Sequence, residues 1–228
     1  MPFENIAFIA FDLDGTLLDS VPDLAIAADQ TVQALGFASV TQAQVRDYVG
    51  NGADILIGRA LSQSQNVSPD LDTELLAKAR ILFDENYQQT GHSQSHLYPK
   101  VMTTLLQLKE AGIPMAIVTN KPYRFVPELL AKHGLDELFV EVIGGDTFAE
   151  KKPHPMALQH LLDKYQLDAK QLLMVGDSKN DILTAKNVGC LSFGLTYGYN
   201  HGEPITKSGP DYVSDCLSEL LELVAVPA

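Results

Sequence analysis

Two aspartates, Asp12 and Asp14, stand one residue apart where the apolar run 6–11 ends and the turn Gly15-Thr16 begins. Burying a carboxylate is costly unless a cation or hydrogen bonds compensate. In extended backbone, side chains i and i+2 share a face, so Asp12 and Asp14 point the same way while Leu13 points back into the fold. Two carboxylates aimed at one spot invite a hard divalent cation. They also suit a division of labour in which one attacks and the other moves a proton.

Three later apolar runs end in comparable chemistry. The run 114–118 leads into Thr119-Asn120-Lys121, whose hydroxyl and following N–H groups can bind a phosphoryl oxygen. The run 139–143 leads into Gly144-Gly145-Asp146 and then Lys151-Lys152-Pro153, where a lysine can neutralise both a phosphate and a nucleophile. The run 172–175 leads into Gly176-Asp177-Ser178-Lys179-Asn180-Asp181. Asp177 there can meet a metal, and Asp181 starts a helix whose dipole favours an acid. Each signal alone is weak; their recurrence in order, each just after a strand, carries the weight.

The elements that must position these residues read as alternating strands and helices. Strands are expected at 6–11, 114–118, 139–143, 172–175, 191–195 and 212–213, separated by helices at 101–111, 126–133, 155–165 and 181–188 and followed by one at 217–224. The alternation predicts an α/β fold, a Rossmann-like parallel sheet wrapped by helices. The stretch 17–93 breaks it, with helical patterns at 22–35, 41–49, 53–61 and 70–87 and no convincing strand. We expect an all-helical cap over 17–93, inserted into a core made of 1–16 and 94–228, with residues 90–96 as the return linker. Ligands of open α/β sheets bind beyond the C-terminal strand ends, so this insertion lies over the site.

Composition narrows the function. The chain has 228 residues, 46% of them hydrophobic, and a formal net charge of −13. That charge argues against nucleic acid and against an anionic membrane surface as partners. A small anionic substrate stays open, because a local pocket of lysine, backbone N–H and metal overrides the global field. No leader segment or long apolar run is evident, and Cys190 and Cys216 lie far apart, so a reduced, cytoplasmic protein is expected. His133, His160 and His201 show no ligand spacing, which argues against zinc. Asp19 and Asp23 read as acids opening the first cap helix, and Asp146 as a loop residue.

Taken together, Phe11-Asp12-Leu13-Asp14-Gly15-Thr16-Leu17, Thr119, Lys152-Pro153 and Gly176-Asp177-Ser178 with Asp181 resemble the four motifs of the haloacid-dehalogenase superfamily phosphatases. Within that superfamily, Gly50-Asn51-Gly52-Ala53-Asp54, Val118-Thr119-Asn120-Lys121-Pro122, Lys151-Lys152-Pro153-His154-Pro155 and Gly194-Leu195-Thr196-Tyr197-Gly198-Tyr199-Asn200 are similar to the bacterial phosphoglycolate phosphatases. The resemblance implies a Mg²⁺-dependent hydrolase that converts 2-phosphoglycolate to glycolate and phosphate. It implies Asp12 as nucleophile and Asp14 as general acid and base. It also implies Thr119, Asn120 and Lys152 as the phosphoryl clamp. Magnesium would be held by the Asp12 carboxylate, the Asp14 main-chain carbonyl and Asp177, with Asp181 in support. The substrate's carboxylate would be read from the cap by Gly50, Asn51 and Gly52, with Arg59 nearby. The expected partner is therefore a small phosphorylated organic acid, with the protein a monomer or homodimer. Two other readings share much of this pattern. One is a related capped phosphatase or phosphomutase acting on sugar phosphates or pyrophosphate. The other is a signalling receiver, which the second carboxylate and the cap argue against.

Overall fold

The computed structural model describes Phe3 and residues 5–224. In chain order the elements are β1 (Phe8–Phe11), β2 (Leu18–Asp19), α1 (Val21–Ala34), α2 (Gln42–Tyr48), α3 (Ala53–Ser62), α4 (Thr73–Gln89), β3 (His96–Leu97) and α5 (Val101–Glu110). Then come β4 (Met115–Val118), α6 (Val126–Lys132), β5 (Glu141–Ile143), α7 (Met156–Tyr165), β6 (Leu172–Gly176), α8 (Lys179–Val188), β7 (Leu191–Leu195), β8 (Tyr212–Ser214) and α9 (Leu220–Leu223). Six strands form one parallel sheet in the order β5-β4-β1-β6-β7-β8.

β1 lies inside this sheet, and all of its residues are buried. That is why residues 8–11 are continuously apolar: a parallel strand is covered on both faces. Alternate residues serve different layers. Ile9, Phe11, Met115, Ile117, Leu173 and Val175 pack with α5, α6 and α9, whereas Phe8, Ala10, Ala116, Val118, Leu172 and Met174 pack with α7 and α8.

Helices α1 to α4 form a separate apolar cluster built on Val21, Leu24, Ala28, Val32, Leu56, Ile57, Phe83 and Tyr87. Phe125 and Tyr199 join that cluster from the sheet side. The cap helices are individually well specified. Thr41 and Gln44 make a reciprocal capping box at α2, and Asp72 caps α4 through the Glu74 N–H.

Some details differ from expectation. β1 begins at Phe8 and β5 at Glu141, later than the apolar runs, although the Ala7 N–H already donates to Gln171 O and the Val140 N–H to Met115 O. The helix expected over 217–224 divides into a 3₁₀ turn, Leu217–Glu219, and the short α9, which ends at Leu223. Leu217, Leu220 and Leu223 are all buried, a spacing of three that a 3₁₀ turn tolerates. The antiparallel ribbon that pairs Leu18 with Leu97 and Asp19 with His96 was not anticipated. It ties the outgoing and returning chain together at the base of the cap. Among the described residues, no helix is long and apolar enough to cross a membrane.

Candidate active site

The C-terminal ends of β1, β4 and β6 converge below the cap, and the expected acids meet there. Asp12, Asp177 and Asp181 are all buried, and one carboxylate oxygen from each lies within 4.8 Å of the others. Backbone shape allows this crowding. Gly15 has φ +92°, a left-handed value that suits glycine, and a Cβ there would sit 2.3 Å from Asp177 Oδ2. At Gly176 a Cβ would sit 2.2 Å from Asp181 Cγ.

Each acid is held. The Leu13 N–H donates to Asp12 Oδ1 at 2.7 Å, and Lys152 Nζ lies 3.0 Å from the same oxygen. Thr16 Oγ1 donates to Asp177 Oδ1 at 2.7 Å, and the Tyr199 N–H donates to Oδ2 at 2.6 Å. Asp181 accepts from Lys152 Nζ at 2.6 Å, and from the Ser178 N–H and hydroxyl at 2.9 and 2.7 Å. It serves as the third residue of a capping box that starts α8.

The electrostatics follow from three acids against one lysine. Burial pushes the Asp12 carboxyl up to about 7, Lys152 pulls it down, and Asp181 adds repulsion. Burial, then Asp181 and Asp12, likewise hold Asp177 above the ordinary carboxylate value. Burial disfavours the Lys152 ammonium, yet Asp12 and Asp181 outweigh it and keep this lysine more basic than usual. An acid cluster with such uncompensated negative charge, built of hard oxygen donors, fits a hard divalent cation.

Asp14 takes a different place. Its carboxylate is outside the trio and accepts from Ser20 Oγ at 2.5 Å and from Lys121 Nζ at 3.1 and 3.2 Å. Of the expected metal set, Asp14 can therefore contribute only its main-chain carbonyl. Asp12, Asp14, Thr119, Asn120 and Lys121 line one pocket with Gly50 and Gly52 from the cap loop.

Other expected residues have positions of their own. Both amide protons of Asn120 are used, on Gly50 O at 2.9 Å and Lys152 O at 2.9 Å, so its side chain joins cap to core rather than clamping a phosphate. Asn51 lies on the loop but is not a pocket-lining residue. Arg59 is turned away, with Nη1 donating to the Tyr48 carbonyl at 2.6 Å. The structure thus leaves Arg59 outside the pocket: about two helical turns from the loop, its guanidinium satisfies a helix carbonyl instead.

The sequence assigns no role to Tyr87 or to the Lys121 side chain, and leaves Tyr197 between pocket lining and loop packing. Lys121 and Tyr87 line the pocket. Tyr197 donates to Thr16 O at 2.7 Å, bracing the turn after the nucleophile strand. Asp23 is fully buried and accepts from the Ser95 N–H and hydroxyl, both at 2.6 Å, which anchors the returning chain rather than merely opening α1. Asp146 accepts from the Tyr123 N–H at 2.7 Å, a loop role as expected.

A parallel sheet with acids at its strand ends, covered by a helical cap inserted after the first strand, defines a capped α/β hydrolase. The family of haloacid dehalogenase-like hydrolases matches residues 9–195, and the chain belongs to that family. It is 66% identical over its whole length to the whole of a phosphoglycolate phosphatase of Vibrio parahaemolyticus. It is also 66% identical to the phosphoglycolate phosphatase of Vibrio cholerae, over 99% of this chain and 100% of the relative. A crystal structure described as a predicted phosphoglycolate phosphatase from Haemophilus somnus superposes with a TM-score of 0.90 at 39% identity, covering 96% of this chain and 98% of the other. CbbY from Rhodobacter sphaeroides, solved in complex with phosphate, gives a TM-score of 0.75 at 26% identity, covering 94% and 96%.

Proposed function

We propose that this hydrolase is a Mg²⁺-dependent phosphatase that converts 2-phosphoglycolate to glycolate and inorganic phosphate through an aspartyl-phosphate on Asp12. The observation that carries the chemistry is the split between the two aspartates of one pocket: Asp12 belongs to the acid trio and meets Lys152, while Asp14 stands outside the trio and meets Lys121. The substrate follows from the names of the relatives. Size supports it: the pocket volume is about 40 Å³. One water needs ~10–15 Å³ on a comparable measure, so a small organic group is the natural occupant.

An oxygen of Asp12 attacks phosphorus in line, and the bond from phosphorus to the ester oxygen breaks as the new one forms. Asp14 gives its proton to the leaving ester oxygen, releasing glycolate. Water then attacks the phosphorus of the aspartyl-phosphate while Asp14 takes its proton, freeing phosphate and restoring Asp12. Thr119 and Lys152 orient the phosphoryl oxygens, and Lys152 balances their charge in the transition state. Asp12, the Asp14 carbonyl and Asp177 would hold Mg²⁺, with Asp181 in support. That ion would supply the positive charge by which two anions, carboxylate and phosphate, approach one another. A reducing cytoplasm suits the unpaired cysteines.

The test is phosphate release from 2-phosphoglycolate, several sugar phosphates and pyrophosphate, with Mg²⁺ and after chelation. We expect 2-phosphoglycolate to be the fastest substrate, activity to vanish on chelation and return with Mg²⁺, and Asp12→Asn to release no phosphate. Near-normal turnover by Asp12→Asn would refute the mechanism. A sugar phosphate as best substrate would refute the specificity.

A further inference from the structure

Lys121 has no part in the steps above, yet its placement is costly. Its side chain is only 3% exposed. The pocket around it is walled by Leu24, Val49, Leu56, Phe83 and Phe125, and among the described lining residues it is the sole cation. Its Nζ reaches both oxygens of Asp14, at 3.1 and 3.2 Å, and lies 4.6 Å from the centroid of the Tyr87 ring. An ammonium has three donors, so this one retains capacity for another anion. Tyr87 is 1% exposed and lines the same pocket, and its phenol O–H has no acceptor among the described contacts. A buried polar atom left unpaired costs roughly 1–3 kcal/mol, which a ligand can recover.

We propose that Lys121 and Tyr87 form the subsite that recognises the substrate's carboxylate, with Nζ and the phenol O–H both donating to it. This rests on the reading of the protein as a phosphatase for 2-phosphoglycolate. The reach is right. Asp14 must touch the ester oxygen to protonate it, and Lys121 touches the same carboxylate. The ester oxygen and Nζ are therefore at most about 6 Å apart, two hydrogen-bond lengths. In 2-phosphoglycolate a single carbon separates the ester oxygen from the carboxylate, and so spans that gap. The apolar walls offer nothing to the hydroxyls of a sugar, which would be stripped of water without replacement. The pocket thus selects for a short acid by attraction and against a sugar by desolvation. Burial pushes the Tyr87 phenol up to about 12, so it is a donor at neutral pH and does not repel an anion.

The experiment compares kcat/KM for 2-phosphoglycolate and for ethyl phosphate, which is similar in size but lacks the carboxylate. Wild type, Lys121→Met, Lys121→Arg and Tyr87→Phe are assayed. In Lys121→Met the value for 2-phosphoglycolate should fall roughly 10- to 100-fold further than that for ethyl phosphate, mostly through KM, as befits a lost charged hydrogen bond. Lys121→Arg should recover part of that loss. Tyr87→Phe should show the same selective loss at roughly 3- to 10-fold. This variant keeps the ring and removes one oxygen, so it decides the matter if Lys121→Met does not fold. Equal losses on both esters would overturn the subsite and leave Lys121 as a support for Asp14. A wild type that hydrolyses 2-phosphoglycolate no better than ethyl phosphate or a sugar phosphate would instead refute the proposed function itself.

Discussion

Crowding at single atoms sets what the acid cluster can tolerate. Asp181 spends one oxygen on Lys152 and the other on two donors from Ser178, so it cannot retreat without breaking a buried ion pair or the start of α8. The added methyl of Gly176→Ala would sit 2.2 Å from Asp181 Cγ. Overpacking of this kind costs about 1–3 kcal/mol. We expect a lower Tm, and also a smaller rise in Tm on adding Mg²⁺, because the displaced carboxylate belongs to the acid trio that would hold the cation. A variant with normal Tm and normal Mg²⁺ response would show that the cluster is softer than its hydrogen bonds imply. Asp12, Thr119 and Asp177 are legible in the sequence because each closely follows a short apolar run that reads as a buried strand, and Lys152 because it lies in the loop after another. Lys121 follows the same strand as Thr119, but its partner Asp14 is 107 positions away, and no local spacing encodes that meeting. Arg59 illustrates the converse. Proximity in sequence to the cap loop suggested contact with substrate, whereas its guanidinium is turned to the Tyr48 carbonyl.

At the scale of elements, the passage between core and cap rests on very short structures. β2 and β3 have two residues each, too few for any periodicity to register, whereas the cap helices carry full apolar stripes and were legible as helices. The returning chain passes through His92, which has φ +52°, is completely buried, and has neither ring nitrogen hydrogen-bonded. Its ring meets the edge of Tyr87 at 4.7 Å. Burial, reinforced by Lys121 and Lys132, holds the imidazole below its ordinary pKa against the pull of Glu128 and Asp23. The unfolded chain therefore takes up a proton near the ordinary value of 6.5 while the folded chain still resists. The neutral ring's contribution to stability is complete above that pH and drains away as pH falls below it. Asp12 and Asp177, held above the ordinary carboxylate value, act in the opposite sense over the same range, so the test is a difference: from pH 7.5 to 5.5 the Tm of the wild type should change less favourably than that of His92→Asn. Asparagine tolerates the left-handed backbone and does not titrate. The variant loses packing and should melt lower at pH 7.5, so the slope rather than the absolute Tm is decisive. Parallel slopes would remove His92 from the acid response.

The whole molecule works only if cap and core meet, and the contacts that join them differ in kind. At the rim, Arg124 pairs with Asp84 and Gln88 donates to Glu128. Arg124 is 54% exposed there, and surface pairs contribute only about 0–1 kcal/mol. Deeper in, the Gly50 carbonyl of the cap loop accepts from Asn120 Nδ2 at 2.9 Å and from Asn180 Nδ2 at 3.0 Å. A His201 ring nitrogen, Nδ1, lies 2.9 Å from the neighbouring Asp47 carbonyl, a contact that suits an N–H donor. Closure is thus read by one carbonyl inserted between two core asparagines, beside the pocket it completes. Asn120 is a poor probe of this, because its amide also supports Lys152 through the main chain. Asn180 is cleaner. Its amide reaches only Gly50 among the described contacts, and alanine is the better helix former at its position in α8. One neutral hydrogen bond is worth about 0.5–1.5 kcal/mol. If closure is coupled to binding, Asn180→Ala should raise KM for 2-phosphoglycolate about 2- to 12-fold. Its Tm should stay close to that of the wild type, because a single hydrogen bond is lost and the apolar packing within the cap helices and within the core is untouched. The same variant should scatter X-rays as a more extended particle without ligand and recover the compact form with saturating phosphate. An unchanged KM with an unchanged scattering profile would mean that apolar contact of Phe125 and Tyr199 with the cap holds it shut, and that the Gly50 carbonyl follows rather than governs closure.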